Sequence, residues 1–186
     1  AGVLHLPDRT IALSRRHAEI VWLLARSGRG MTVQSLDAAL HEHGSHLVTI
    51  RSEMFRLRNV LGDEVLSSRP YRLLLDVTSD VDRLRQLLAR GAVLKALDMF
   101  RGPPLLGSEA PAVVSLRGEL LAELRAAVLA SRSAAALERW TATDEGHDDA
   151  QAWQALGAAL SYGSPKRATA KAHLARLATS LQPRAT

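Results

Sequence analysis

The chain of 186 residues contains no cysteine. That absence removes disulfide frameworks, thiolate zinc sites and cysteine nucleophiles, and it fits a reducing cytoplasm. No apolar run approaches the roughly 20 residues of a membrane span and no signal peptide is present, so a cytoplasmic location and no membrane partner are expected. Glycine-rich phosphate loops and nucleophile elbows are also missing. The paired carboxylates Asp148-Asp149 read better as a helix start than as an acid and a base. The expectation is a chain that is not an enzyme and takes no cofactor. It opens Ala-Gly without an initiator Met, as a fragment of a longer protein would.

Lysine is scarce too: 21 of the 24 basic residues are arginine. Arginine is the side chain best suited to bidentate contact with phosphates and guanine edges, although a GC-rich genome would produce the same bias. The net charge of +5 is spread evenly, with net +2 over residues 1–76 (10 Arg, 8 acids) and net +3 over residues 77–186 (14 bases, 11 acids). Charge totals alone therefore do not point to nucleic acid. Hydrophobic residues at 47% and charged residues at 23% are ordinary for a soluble globular protein, and the length allows two domains.

The first stretch mixes strands and helices. "VLHL" (3–6) and "TIAL" (10–13) flank the turn "PDR" as a hairpin. Ser14 can cap a helix with Ile20, Leu23 and Leu24 on one face. Thr32 can cap a second helix with Val33, Leu36 and Leu40 in line. A third helix, "LVTIRSEMFRLRNVL" (47–61), closes on Gly62, and "VLSSRPYRLLLDV" (65–77) reads as two strands about a Ser-Ser-Arg-Pro turn.

From Ser79 onward the pattern is helical. "SDVDRLRQLLARG" starts with a Ser-x-x-Asp capping box and "AVLKALDMF" follows. Pro111 suits the first turn of a longer helix lined by Val113, Leu116, Leu120, Leu124 and Val128. "SAAALERW" aligns Leu137 with Trp140, and "AQAWQALGAAL" aligns Trp153, Leu156 and Leu160. Ser164-Pro165 starts a last helix with Ala170, Leu174, Leu177 and Leu181 in a stripe. Paired helices without a clean repeat period are the expected arrangement.

The third helix carries the functional signal. Ile50, Met54, Leu57 and Leu61 fall at i, i+4, i+7, i+11 and must face the core. Ser52, Phe55, Arg56 and Asn59 then face outward, flanked by Arg51 and Arg58. In a major groove arginine reads guanine, asparagine reads adenine, and an apolar group touches the thymine methyl. Arginines on a wet helix face need no such role, so the two-stranded segment behind the helix matters.

"RLRNVLG" followed by "LSSRPYRLLL" resembles the end of the recognition helix and the wing of the OmpR/PhoB-type winged helix, whose wing typically ends Gly-Tyr-Arg-Leu and here reads Pro70-Tyr71-Arg72-Leu73. The resemblance covers roughly residues 3–77. "DVDRLRQLL" and "ALDMFRGPPLLGSEAP" resemble the helical bacterial transcriptional activator domain of Streptomyces antibiotic regulatory proteins. The whole chain looks most like the C-terminal effector half of actinobacterial GAF-domain regulators. The fold class implied is an α+β winged helix over residues 1–77 followed by an all-α, activator- or TPR-like helical domain over 78–186.

The function implied is a transcriptional regulator with helix 47–61 in the major groove and wing 65–76 on the flanking backbone. Arg51, Ser52, Phe55, Arg56, Arg58 and Asn59 would contact double-stranded DNA, with Arg56 foremost, and Arg69 and Arg72 would serve from the wing. Tyr71 is expected to pack, and Arg15 and Arg16 to be solvated surface. RNA polymerase, a homodimer partner and an N-terminal sensor domain are further implications. Two positions depart from the family: His17 stands where relatives have a capping-box Glu, and His41 where they often have Trp. The activator-type domain is also shorter than usual.

Two other readings stay open. "HEHGSH" places His41, His43 and His46 close together, as zinc or nickel ligands would be, yet across a helix end and a turn with no evident acidic partner. They are not assigned as a metal site. Alternatively, the helical half is the working part, a protein-interaction module with the winged helix as its scaffold.

Overall fold

The computed structural model describes residues 2–180. The chain is mostly helical, with ten helices and two small two-stranded sheets among the described residues. It divides into two compact units: one runs to Asp80 and includes Pro104–Gly118, the other comprises Val81–Pro103 and the residues from Glu119 on.

In the first unit, β1 (Gly2–His5) pairs antiparallel with β2 (Thr10–Leu13), Gly2 opposite Leu13 and His5 opposite Thr10. α1 (Arg15–Arg26), α2 (Val33–Leu40) and α3 (Leu47–Leu61) follow, and β3 (Leu66–Ser68) pairs antiparallel with β4 (Tyr71–Leu73). The strands of the second hairpin are shorter than the sequence run 65–77 implied. Its ladder ends at Leu73, and Leu74 and Leu75 are exposed. The Arg69–Pro70 peptide bond is cis.

α1 is more deeply embedded than its sequence stripe of Ile20, Leu23 and Leu24 predicts. Seven consecutive residues from Ala18 to Leu24 are buried, because α1 packs against α3, β4 and both strands of the first hairpin. Glu19 is carried inside with them and is paired with Arg16 at 3.0 Å. Ser14 still caps the helix, accepting the His17 N–H at 3.2 Å, although no Glu completes a capping box.

Ile50, Met54, Leu57 and Leu61 are all buried, as their spacing requires, and each contributes about 1.5–3 kcal/mol by leaving water. Gly62 ends α3 at φ 96°, a conformation that costs a side-chain-bearing residue. Gly30, at φ 79°, lies so close to β4 that a Cβ there would stand 2.7 Å from the Tyr71 carbonyl oxygen. Beside it Met31 forms a two-way backbone bridge with Tyr71, at 2.8 and 3.0 Å, so β4 is held on both edges.

The second unit is helical: α4 (Asp80–Ala89), α5 (Val93–Met99), the later turns of α6 (Pro111–Ser131), α7 (Ala134–Thr141), α8 (Asp144–His147), α9 (Ala150–Ala159) and α10 (Pro165–Ser180). α7 packs against α5, α8 and α9, and α9 against α10. Leu120, Leu124 and Val128 of α6 are buried here, while its early turns, with buried Val113 and half-buried Leu116, belong to the first unit. Leu137 and Trp140 are buried as their alignment predicts. On α9 the fully buried positions are Ala152 and Leu156, with Trp153 half-exposed. Ala170 is buried on α10, Leu174 and Leu177 are half-buried, and Leu181 lies outside the described residues.

Asp149 organises this unit. It caps α9 by accepting the Ala152 N–H at 3.1 Å, and it also accepts the Trp140 indole N–H at 3.1 Å and two Arg125 donors at 2.6 and 2.9 Å. Burial would raise its carboxyl pKa. The Arg125, Trp140 and Ala152 donors outweigh that and hold it below the ordinary value.

Candidate nucleic-acid interface

The outward face of α3 is exposed along its length, because the buried residues opposite it take up the whole apolar stripe. Arg51, Ser52, Phe55, Arg56 and Asn59 are all on the solvent side. Phe55 is 67% exposed. Val48, in the same row but outside the set expected from the sequence, is 74% exposed. Val48, Ser52, Phe55 and Asn59 recur at i, i+4, i+7, i+11, so two apolar groups alternate with a hydroxyl and an amide along one ridge.

The arginines differ in how they are held. Arg56 donates from Nη1 to Glu53 at 2.7 Å, and the other Glu53 oxygen lies 3.2 Å from His17 Nε2 on α1. The guanidinium is steered by that carboxylate and keeps further N–H donors. Arg58 is half-buried and pairs with Asp63, which makes it part of the helix end as much as of the outer face. Arg51, Arg69 and Arg72 have no ion pair among the described residues, and Arg69 stands in the turn of the second hairpin. Tyr71 is half-buried beside Met31. Arg15 donates to the Gly107 carbonyl at 2.9 Å and Arg16 pairs with Glu19, so both bases at the start of α1 are engaged inside the unit.

The histidine loop differs most from its sequence expectation. His43 is exposed and stands apart, and the acidic partner that "HEHGSH" lacks is Asp37, one turn before His41 on α2. Asp37 accepts the His46 backbone N–H at 3.1 Å and lies 2.9 Å from His41 Nδ1. These bonds, the His46 N–H foremost, hold its carboxyl below the ordinary carboxylate value despite burial. Its i, i+4 spacing to His41 was the available signal.

A second group has no counterpart among the sequence expectations: His147, Asp148 and His173 lie together in the helical unit. There His173 is bonded through one nitrogen to the His147 carbonyl and through the other to Arg176, and its ring stacks on Trp153. Both imidazole nitrogens are therefore occupied by the fold.

Comparison with known proteins bears on the helical half most directly. The family model of the third C-terminal helical domain of YTH3-like protein matches residues 133–182, the stretch that carries α7 to α10. An uncharacterized 47.3 kDa protein in the thcA 5' region of Rhodococcus erythropolis is 40% identical over 155 residues, covering 83% of this chain and 36% of that protein. The chain thus spans about a third of the length of the curated relative it matches. No solved structure matches the chain. No helix among the described residues is long and apolar enough to cross a membrane.

Proposed function

We propose that the chain is a cytoplasmic DNA-binding transcriptional regulator, a winged helix of OmpR/PhoB type joined to an activator-like helical domain. In this reading α3 lies in the major groove and the β3–β4 hairpin reaches the flanking phosphates. The observation that carries it is the outer ridge of α3: an uninterrupted exposed row of apolar, hydroxyl and amide groups flanked by Arg51 and Arg56, beside a hairpin whose Arg69 and Arg72 are free of ion pairs among the described residues. Guanidinium and amide groups read base edges, and Val48 and Phe55 supply the apolar contacts that thymine methyls accept. Arg69 and Arg72 add sequence-independent attraction and fix the register. A preceding sensor domain, a homodimer and contact with RNA polymerase belong to the same proposal. The length of the relative, of which this chain spans about a third, leaves room for the sensor.

Fluorescence anisotropy against fragments selected from random DNA tests the reading. Binding must be specific, must weaken steeply with salt, and must respond to substitution at Arg56 and Arg69. Salt-independent behaviour, or equal binding by wild type and both variants, refutes it.

The helical half supports a second reading, a protein-interaction module. It is favoured by Tyr162, an aromatic side chain 93% exposed before α10. Pull-down of a defined partner by the whole chain, lost on Tyr162→Ala, with no DNA binding, would favour it.

A further inference from the structure

Three side chains converge where α2 gives way to α3. Asp37 is buried near the end of α2, His41 closes that helix, and His46 is the N-cap residue of α3 without a capping side-chain bond of its own. Asp37 Oδ1 lies 2.9 Å from His41 Nδ1 and 3.5 Å from His46 Nδ1. The two imidazole rings stand 4.1 Å apart. One donor atom from each of the three residues lies within 4.8 Å of the others.

A hydrogen bond between Asp37 and His41 accounts for part of this arrangement. It does not account for His46 Nδ1, which is closed off from solvent with no hydrogen-bond partner while facing the same carboxylate oxygen. A tetrahedral zinc ion with bonds of about 2.0–2.1 Å sets its donors about 3.3 Å apart, between the two separations seen here.

We propose that Asp37, His41 and His46 form a binding site for a divalent transition metal of the Zn²⁺ class. One carboxylate oxygen and two neutral imidazole nitrogens supply three ligands, a set that suits zinc. Ligation uses the Nδ1 lone pair of His41, so the neutral ring binds as the tautomer that carries its single proton on Nε2, the proton moving between the two nitrogens by exchange with solvent. Asp37 Oδ2 continues to accept the His46 backbone N–H at 3.1 Å, which keeps the ligating carboxylate oriented. Asp37 and His41 border a surface hollow, from which water would complete the shell at the fourth position. An open fourth position makes the ion exchangeable with the medium, unlike a closed four-ligand site. His43 is exposed and takes no part. The ion would tie the end of α2 to the start of α3 across the 41–46 loop and stabilise the folded state by mass action.

The test uses the full chain, untagged and freed of metal, titrated with Zn²⁺ by calorimetry and with Co²⁺ by visible absorption. The expected result is one equivalent bound, with four-coordinate Co²⁺ bands. His41→Ala and His46→Ala should each weaken affinity by at least about 10- to 100-fold, the loss already caused by removing groups one shell further out. His43→Ala and His173→Ala should bind as wild type does. Absence of binding by the wild-type chain overturns the proposal. So does a loss in His43→Ala or His173→Ala as large as that in His41→Ala, and neither of these results depends on the ligand variants folding.

Discussion

Asp149→Ala should be among the most damaging single polar substitutions in the helical unit, and the structure gives the size of the effect. The carboxylate is 6% exposed and serves donors from three residues of different kinds. Losing the cap on α9 costs about 1 kcal/mol. The Trp140 indole N–H, in a residue 2% exposed, would lose its partner in a place water does not reach, which costs about 1–3 kcal/mol. Arg125 is 41% exposed and can turn into solvent, so its lost bidentate pair is discounted to about 0.2–1 kcal/mol. The total is about 2–5 kcal/mol. Urea unfolding followed by far-ultraviolet circular dichroism, with tryptophan fluorescence as a second probe, measures it. Asp149→Asn keeps a good N-cap and should lose less. A cost under about 1 kcal/mol for Asp149→Ala, or equal losses for the two variants, would refute the reasoning.

Other expectations follow from the same geometry. Because the folded Asp149 carboxyl lies below its ordinary value, its contribution is complete above the unfolded pKa and is lost as pH falls through the folded one, from about pH 4 downward; acid titration of the Asp149→Asn variant should show a shallower limb. Gly30→Ala should destabilise the first unit by at least about 2 kcal/mol, combining a left-handed backbone with a Cβ against the Tyr71 carbonyl, while Gly28→Ala, with open space around it, should be close to neutral in thermal melts. On a selected DNA site Arg56→Ala should cost about 1–3 kcal/mol and relax preference at one base pair, whereas Arg69→Ala should weaken all sequences and reduce the salt slope by about one, both read by anisotropy.

Periodicity made the framework of the chain legible. The apolar faces of α1, α2 and α3, the cap residues Ser14 and Thr32, the Gly62 stop and the Ser164-Pro165 start all follow from spacing and local hydrogen bonding, and the structure has them. Tertiary crowding was less legible. Nothing local in "RRHAEIVWLLA" announces that α1 is enclosed along seven consecutive residues, or that Glu19 goes in with it. α8 leaves no periodic trace because four residues are too short for one, although Thr143 caps it by accepting the Gly146 N–H. At the candidate sites, exposure on α3 could be read from the helical wheel. The Glu53–Arg56 pair is local to α3, whereas the approach of His17 to Glu53 needed α1 and α3 brought together. The histidine loop misleads for a related reason: adjacency in sequence favours His43, and one helical turn favours Asp37.

The bridge between Met31 and Tyr71 has a bearing on how the second hairpin meets any partner. Two strands of three residues would be marginal in water by themselves, and their turn would sample many orientations before contact. With Met31 on the far edge of β4, the hairpin becomes the outer part of a three-segment patch whose third member lies between α1 and α2. The backbone that carries Arg69 and Arg72 is thereby set during folding, so in the proposed DNA complex less of the hairpin's freedom would remain to be lost on contact.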